Sequence, residues 1–267
     1  MLNSTDALLT AAFLVVAAAY AMVGHAGASG YLAVMTLAGF TSDRMRPIAL
    51  TLNVLVAAVG TVQFGRAGLV KWRQVLPFVA MSVPLAYWGG SKNAPPRVQE
   101  LIIGTALLLA AVRLAWTAQR SAGPVRPPPL PVALLCGGAL GALSGLTGVG
   151  GGVFLTPLIL LMGWAEPRVA AGTSVVFILL NSLAGMAGLG ISPSRLPPQI
   201  GVWAAAVLLG GTIGATMGSR RLSGVALRRV LAAVVLLAAG KLLLAGAAGS
   251  HSSGKSARGA AETEPRS

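Results

Sequence analysis

The chain has 267 residues, of which 55% are apolar and only 10% charged, and its mean hydropathy is +0.78. A soluble domain carries roughly 25% charged residues, so most of this chain belongs in a bilayer and a soluble enzyme is excluded. The formal net charge of +14 does not signal nucleic acid, because the basic residues fall between apolar runs and aromatics are only 5%; loop anchoring by the positive-inside rule gives that pattern.

In chain order, residues 7–24 form the first apolar run. No Lys or Arg precedes Arg44, so the run does not read as a cleaved signal peptide and is expected to stay in the mature protein. Gly24-His-Ala-Gly-Ala-Ser-Gly30 interrupts it, and a second short run reaches Gly39. Apolar segments follow at 47–64, 74–90 and 98–118, each near the ~20 residues that cross the hydrocarbon. Residues 122–131 are proline-rich and read as an extended connector.

The second part repeats the layout: an apolar run at 132–147, a break at 148–152, a short run at 153–163, and segments at 169–190, 199–217 and 225–246. Residues 249–267 are Ser, Gly, Ala and charge, and are expected to be a disordered tail. The division is a first membrane repeat at 1–121, the linker at 122–131, a second repeat at 132–248, and the tail. The repeats align at an offset of 122, with Gly30 on Gly152, Arg46 on Arg168, Thr51 on Thr173 and Gly68 on Gly190, then at 128, with Gly90-Ser91-Lys92 on Gly218-Ser219-Arg220. The expected fold is an all-α polytopic membrane protein of about eight transmembrane segments in two four-segment repeats, each opened by a Gly-broken re-entrant element.

If each broken pair (7–39 and 132–163) is a hairpin with both ends on one side, the halves are inverted. One side then receives Arg44, Arg46, Lys92, Arg97 and Arg195, against eleven basic residues on the other. Simple crossing by every segment gives 7 and 9. The first arrangement carries the stronger positive-inside bias, and puts both termini on the periplasmic side of a bacterial-type plasma membrane.

Four glycines, Gly148, Gly150, Gly151 and Gly152, fall within five positions of an apolar run. Glycine in a helix interior costs about 1 kcal/mol relative to alanine. Lipid cannot satisfy the freed backbone groups, so the break must be buried in protein or line a polar cavity. A half-helix starting there exposes N–H groups and about half a positive charge, which suits an anion. Gly30 is expected to start the matching half-helix. Thr51, Asn53, Thr173, Ser174 and Asn181 lie near the starts of the following helices and offer hydroxyl and amide donors; as a structural alternative, they cap or bridge helices. His25, with Ser29, stands in the first break. It reads either as a proton-coupling or substrate-contacting group or as a donor to freed carbonyls. The residues expected to bind substrate are these glycines and polar groups, with no metal or cofactor.

The pattern Gly-Leu-Thr-Gly-Val-Gly-Gly-Gly-Val-Phe-Leu-Thr-Pro157, then Arg168-Val-Ala-Ala-Gly-Thr-Ser174 with Asn181 beyond, resembles the TauE/SafE (TSUP) family of sulfite and organosulfonate permeases. The first half carries it in altered form, with Gly27-Ala-Ser-Gly30 for the glycine cluster and Ala49-Leu-Thr51 for Ala-Gly-Thr. The resemblance implies a secondary transporter for a small sulfur-containing anion. The partners it suggests are the lipid bilayer, that anion and, through His25, a coupling proton. Rival readings are a non-transporting membrane scaffold, against which the two polar breaks argue, and an intramembrane enzyme, for which the spans hold no catalytic set. A Rossmann loop is excluded, because the glycines lack a preceding strand and a suitably placed acid. Trp72, Trp88, Trp116, Trp164 and Trp203 are expected in an interfacial belt, Cys136 as a small core residue, and Gly210, Gly211 and Gly214 at close helix contacts.

Overall fold

The computed structural model describes residues 4–92, 125–191 and 196–223, with a few positions beyond. The segment expected at 98–118, most of that at 225–246, and Arg113, Trp116, Arg195, Lys241 and the tail lie outside the described residues. Among the described residues the fold is all-helical, with eight α-helices. They are α1 (Ser4–Met22), α2 (Ala28–Leu37), α3 (Ser42–Arg66), α4 (Trp72–Gly90), α5 (Leu130–Thr147), α6 (Gly152–Leu161), α7 (Pro167–Leu189) and α8 (Ile200–Thr216), the last running into a π-turn at Met217–Arg221.

Five helices (α1, α3, α5, α7 and α8) are long and apolar enough to cross a membrane, whereas α2 and α6 have 10 residues each. At 1.5 Å per residue, α1 reaches about 28 Å and α2 about 15 Å, so the broken pairs have unequal arms. The short arm doubles back beside the long one. Gly30 of α2 lies against Val16 and Tyr20 of α1, and Tyr31 stacks edge-on to Phe13 at 5.4 Å. In the other pair, the N-cap Gly151 of α6 lies over Leu140 and Ser144 of α5. Helix α2 starts at Ala28, after the N-cap Gly27, so Gly30 is its third residue rather than its first.

At the centre α3 crosses α7. Asn53 meets Ser182 and Gly60 meets Val175, so the two helices run antiparallel. They are the most enclosed of the five spans, with 67% of the α7 window and 50% of the α3 window buried. Around them α4 packs on α5 and α7, and α1 and α3 pack on α8.

Two glycine ladders hold the outer pairs. Gly137, Gly141 and Gly145 of α5 face the backbone oxygens of Phe78, Ser82 and Ala86 of α4. Gly210, Gly214 and Gly218 face those of Leu14, Ala18 and Met22 of α1 and its end. The spacing of four on both partners makes each pair parallel. With lipid on the far side there is no hydrophobic gain from association, so close backbone packing supplies the attraction.

The tryptophans divide. Trp72 and Trp88 are exposed, as an interfacial belt requires, but Trp164 and Trp203 are buried. Trp203 packs T-shaped on Phe13 at 5.4 Å, which fixes α8 to α1. Cys136 is half-buried at the edge of the apolar core.

Candidate functional site

Both breaks are enclosed by protein: residues 24–30 and 148–153 are all buried. They lie against the two central helices. Gly24 packs on the Ala171 backbone of α7. Gly148 packs on Arg46 and Leu50 of α3, Gly150 on Asn53, Ile178 and Ser182, and Gly152 on Ile178. Asn53 and Ile178 stand near the middles of α3 and α7, so the start of α6 sits level with the middles of these two spans.

Gly150 and Gly151 have φ of 81° and 76°. That left-handed backbone costs an L-residue roughly 1–2 kcal/mol. There is no room for a side chain either, since a Cβ on Gly151 would come within 2.8 Å of the Phe177 ring. The sequence thus turns sharply into α6 and brings its first N–H groups to the centre.

A polar chain crosses between the halves. His25 Nε2 lies 2.9 Å from Thr156 Oγ1 in the first turns of α6, and Thr156 Oγ1 lies 2.6 Å from Ser174 Oγ on α7. The imidazole is 2% exposed, and its Nδ1 has no partner among the described residues. Beside this chain, Asn53 Oδ1 accepts the Ala28 N–H at 3.1 Å and Asn53 Nδ2 donates to Ser182 Oγ at 3.0 Å. One carboxamide thus caps α2 and ties it to α7.

The structure brings His25, Gly150, Gly152, Ser174 and Asn53 together around the two breaks. Other expected site groups are spent locally. Thr51 Oγ1 donates to the Pro47 carbonyl of its own helix, Ser29 Oγ donates to the Tyr20 hydroxyl, and Asn181 Nδ2 donates to the Phe177 carbonyl. Thr173 Oγ1 and Asn181 Oδ1 are buried without a partner among the described residues. Thr156, in the chain from His25 to Ser174, and Ser182, on the Asn53 carboxamide, are not singled out by the sequence. The only cues to them are that Thr156 lies one helical turn after Gly152 and that Ser182 follows Asn181.

Two arginines close the ends of the central pair. Arg46 Nη2 donates to the Gly145 carbonyl at 2.6 Å, with the Gly90 and Lys92 carbonyls at 3.5 and 3.4 Å. Arg168 Nη2 donates to the Ser219 carbonyl. Each guanidinium thereby meets the negative end of a neighbouring helix.

The profile of the family described as "Sulfite exporter TauE/SafE" matches residues 9–242. The chain is 43% identical over 244 residues to the probable membrane transporter protein y4hK of Sinorhizobium fredii (strain NBRC 101917 / NGR234), covering 90% of this chain and 99% of that one. It is 46% identical over 54 residues to the probable membrane transporter protein YjnA of Bacillus subtilis (strain 168), covering 20% of this chain and 21% of that one. No solved structure matches.

Proposed function

This multi-pass membrane protein belongs to the sulfite exporter TauE/SafE family of transporters, and from that premise we propose that it is a secondary permease for a small anion, a sulfur oxyanion or an organosulfonate, in the plasma membrane. The observation that carries this reading is the start of α6. A half-length helix begins level with the middles of the two central spans from consecutive left-handed glycines, beside a buried histidine. Such an end supplies N–H donors and a partial positive charge without a buried Lys or Arg. We assign the anion to Gly150–Gly152, against which Asn53, Ser144 and Ser182 pack, with His25 and the Thr156–Ser174 pair joined to the first turns of α6, and a coupling proton would engage His25.

We also read residues 1–121 and 132–248 as inverted repeats, with 122–131 as the linker. Left-handed glycines recur at the same points: Gly24 and Gly148 before the break ends, Gly27 and Gly151 at the caps of the short helices, Gly39 and Gly163 after them. That is an offset of 124, and it shortens to 122 at Arg46 and Arg168 because the first half has two more residues between the short helix and the arginine. Exchange of the halves turns the α4–α5 contact into α8–α1 and the α4–α7 contact into α8–α3. The antiparallel course of α3 and α7, which are equivalents, supports the inversion.

Purified protein in proteoliposomes, tested for flux of sulfite, thiosulfate and methanesulfonate, checks the proposal. Uptake of at least one above protein-free liposomes is expected; no flux of any of them contradicts it.

A further inference from the structure

The two short helices begin in chemically different ways, and this difference narrows the site of the permease reading above, on which it rests. At α2 the first N–H, that of Ala28, is taken by Asn53 Oδ1, and Ser182 Oγ on α7 pins the carboxamide. At the offset of 122 that relates α3 to α7, Asn53 corresponds to Val175 and Ser182 to Gly60. Val175 has no acceptor to offer. It is 1% exposed and packs on Gly60, where a Cβ would come within 2.6 Å of Val175 Cγ2. What is a carboxamide on a hydroxyl at one end is a methyl on a glycine at the other.

The start of α6 is accordingly uncapped. Phe154 and Leu155 donate to the Gly151 carbonyl, and the N–H groups of Gly152 and Val153 meet no acceptor among the described residues. At α2 those of Ser29 and Gly30 are open likewise, so the difference is the first N–H, held at Ala28 and open at Gly152. A second, independent observation falls at the same end. His25, buried and held through Nε2 by Thr156 of α6, keeps Nδ1 without a partner among the described residues.

We infer that the anion binds at the N-terminus of α6 alone, beside His25, and that the carboxamide oxygen of Asn53 permanently fills the matching place on α2. An anion approaching the Ala28 N–H would have to break two hydrogen bonds of a buried amide, while at α6 no side chain holds the Gly152 N–H and the anion satisfies a group that otherwise goes without a partner. The ligand class is a compact oxyanion, sulfite or a sulfonate head, with one oxygen on the Gly152 N–H and another accepting from His25. For Nδ1 to donate, the Thr156 hydroxyl turns its proton from Ser174 Oγ and the Gly152 carbonyl to Nε2 and accepts from the Ser174 hydroxyl in return. The twofold fold thus carries a one-sided site, and one anion per chain.

The test is to rebuild the cap where it is missing. The double variant Val175→Asn/Gly60→Ser copies the Asn53–Ser182 pair onto α6. Radiolabelled sulfite uptake into proteoliposomes is expected to show a KM raised about fivefold or more, the fold-change of one competing N-cap. The control Val175→Leu/Gly60→Ser retains the added hydroxyl but replaces the carboxamide with an apolar side chain of the same branching, and is expected to keep the wild-type KM. A double variant that transports like wild type overturns the inference and leaves the permease reading standing. Equal loss in the Leu control overturns it too, because packing is then the cause. An intact chain that moves none of the three anions removes both. A measurement independent of these variants uses the unaltered protein in detergent: on adding sulfite, the amide resonance of Gly152 shifts and that of Ala28 does not. A shift at Ala28 contradicts a one-sided site.

Discussion

Thr156 is the residue on which the centre turns. Its single hydroxyl stands within hydrogen-bond reach of His25, Ser174 and the Gly152 carbonyl, the last at 3.2 Å. Thr156→Val keeps the shape and leaves buried polar partners unsatisfied, so it should lower unfolding free energy by about 1–3 kcal/mol, read from denaturant or thermal unfolding in detergent. An unchanged stability would mean that the His25 and Ser174 contacts of this hydroxyl are not formed. The glycines of this centre were legible in the sequence, because four of them in an apolar run leave few other readings. Thr156 was not, because its imidazole partner lies 131 positions away and a threonine before proline looks like local helix chemistry. Asn53 was legible as a polar group at the right depth but not as a cap, since the sequence gives a residue's donors and acceptors without giving their partners. The same holds for Ser29 and Thr51, whose hydroxyls are used within their own hairpin or helix.

At the scale of elements, the helices and their order follow from apolar runs and glycine breaks, and the short arms fall where those breaks put them. The relation between the breaks did not follow. A gapless offset put Gly30 at the start of the first short helix, whereas backbone geometry starts it at Ala28. The extra residues before Arg46 lie in the first turn of α3, where Arg46 is the fifth residue while Arg168 is the second of α7, and hydropathy does not place a helix start that finely. The burial of Trp203 was likewise hidden, because a position near a segment end looks interfacial until α1 brings Phe13 against it. The glycine ladders make a sharp prediction. Gly141→Leu and Gly214→Leu force side chains onto the backbones of Ser82 and Ala18, which cannot yield as a rotamer does. Each should cost about 3 kcal/mol or more and appear as loss of the monodisperse peak in size-exclusion chromatography. Gly201→Ala on α8 has nothing within 4 Å, and should be neutral or stabilising by up to about 1 kcal/mol. Equal damage at Gly201 and Gly214 would show that helix propensity, rather than close approach, governs these positions.

At the scale of the molecule, inversion of the halves predicts sidedness. Arg46, opening α3, holds the end of α4 through the Lys92 carbonyl, and Arg168, opening α7, holds the end of α8 through Ser219. Because α3 and α7 run antiparallel, Lys92 and Arg220 should face opposite sides of the membrane. In a Cys136→Ser background, Lys92→Cys is expected to react with an impermeant maleimide from the periplasm and Arg220→Cys only from the cytoplasm; labelling of both from one side contradicts the inversion. The central claim, that substrate passes the glycine turn into α6, has a more direct test in two alanines. Gly151 and Gly163 share left-handed backbone, φ 76° and 67°, so alanine strains both alike. Only at Gly151 does the new methyl enter the centre, against Phe177 and Ser144; at Gly163 it meets nothing within 4 Å. Sulfite flux per folded protein in proteoliposomes should fall about tenfold or more in Gly151→Ala and stay near wild type in Gly163→Ala. Equal flux in the two variants would contradict a substrate path through the start of α6.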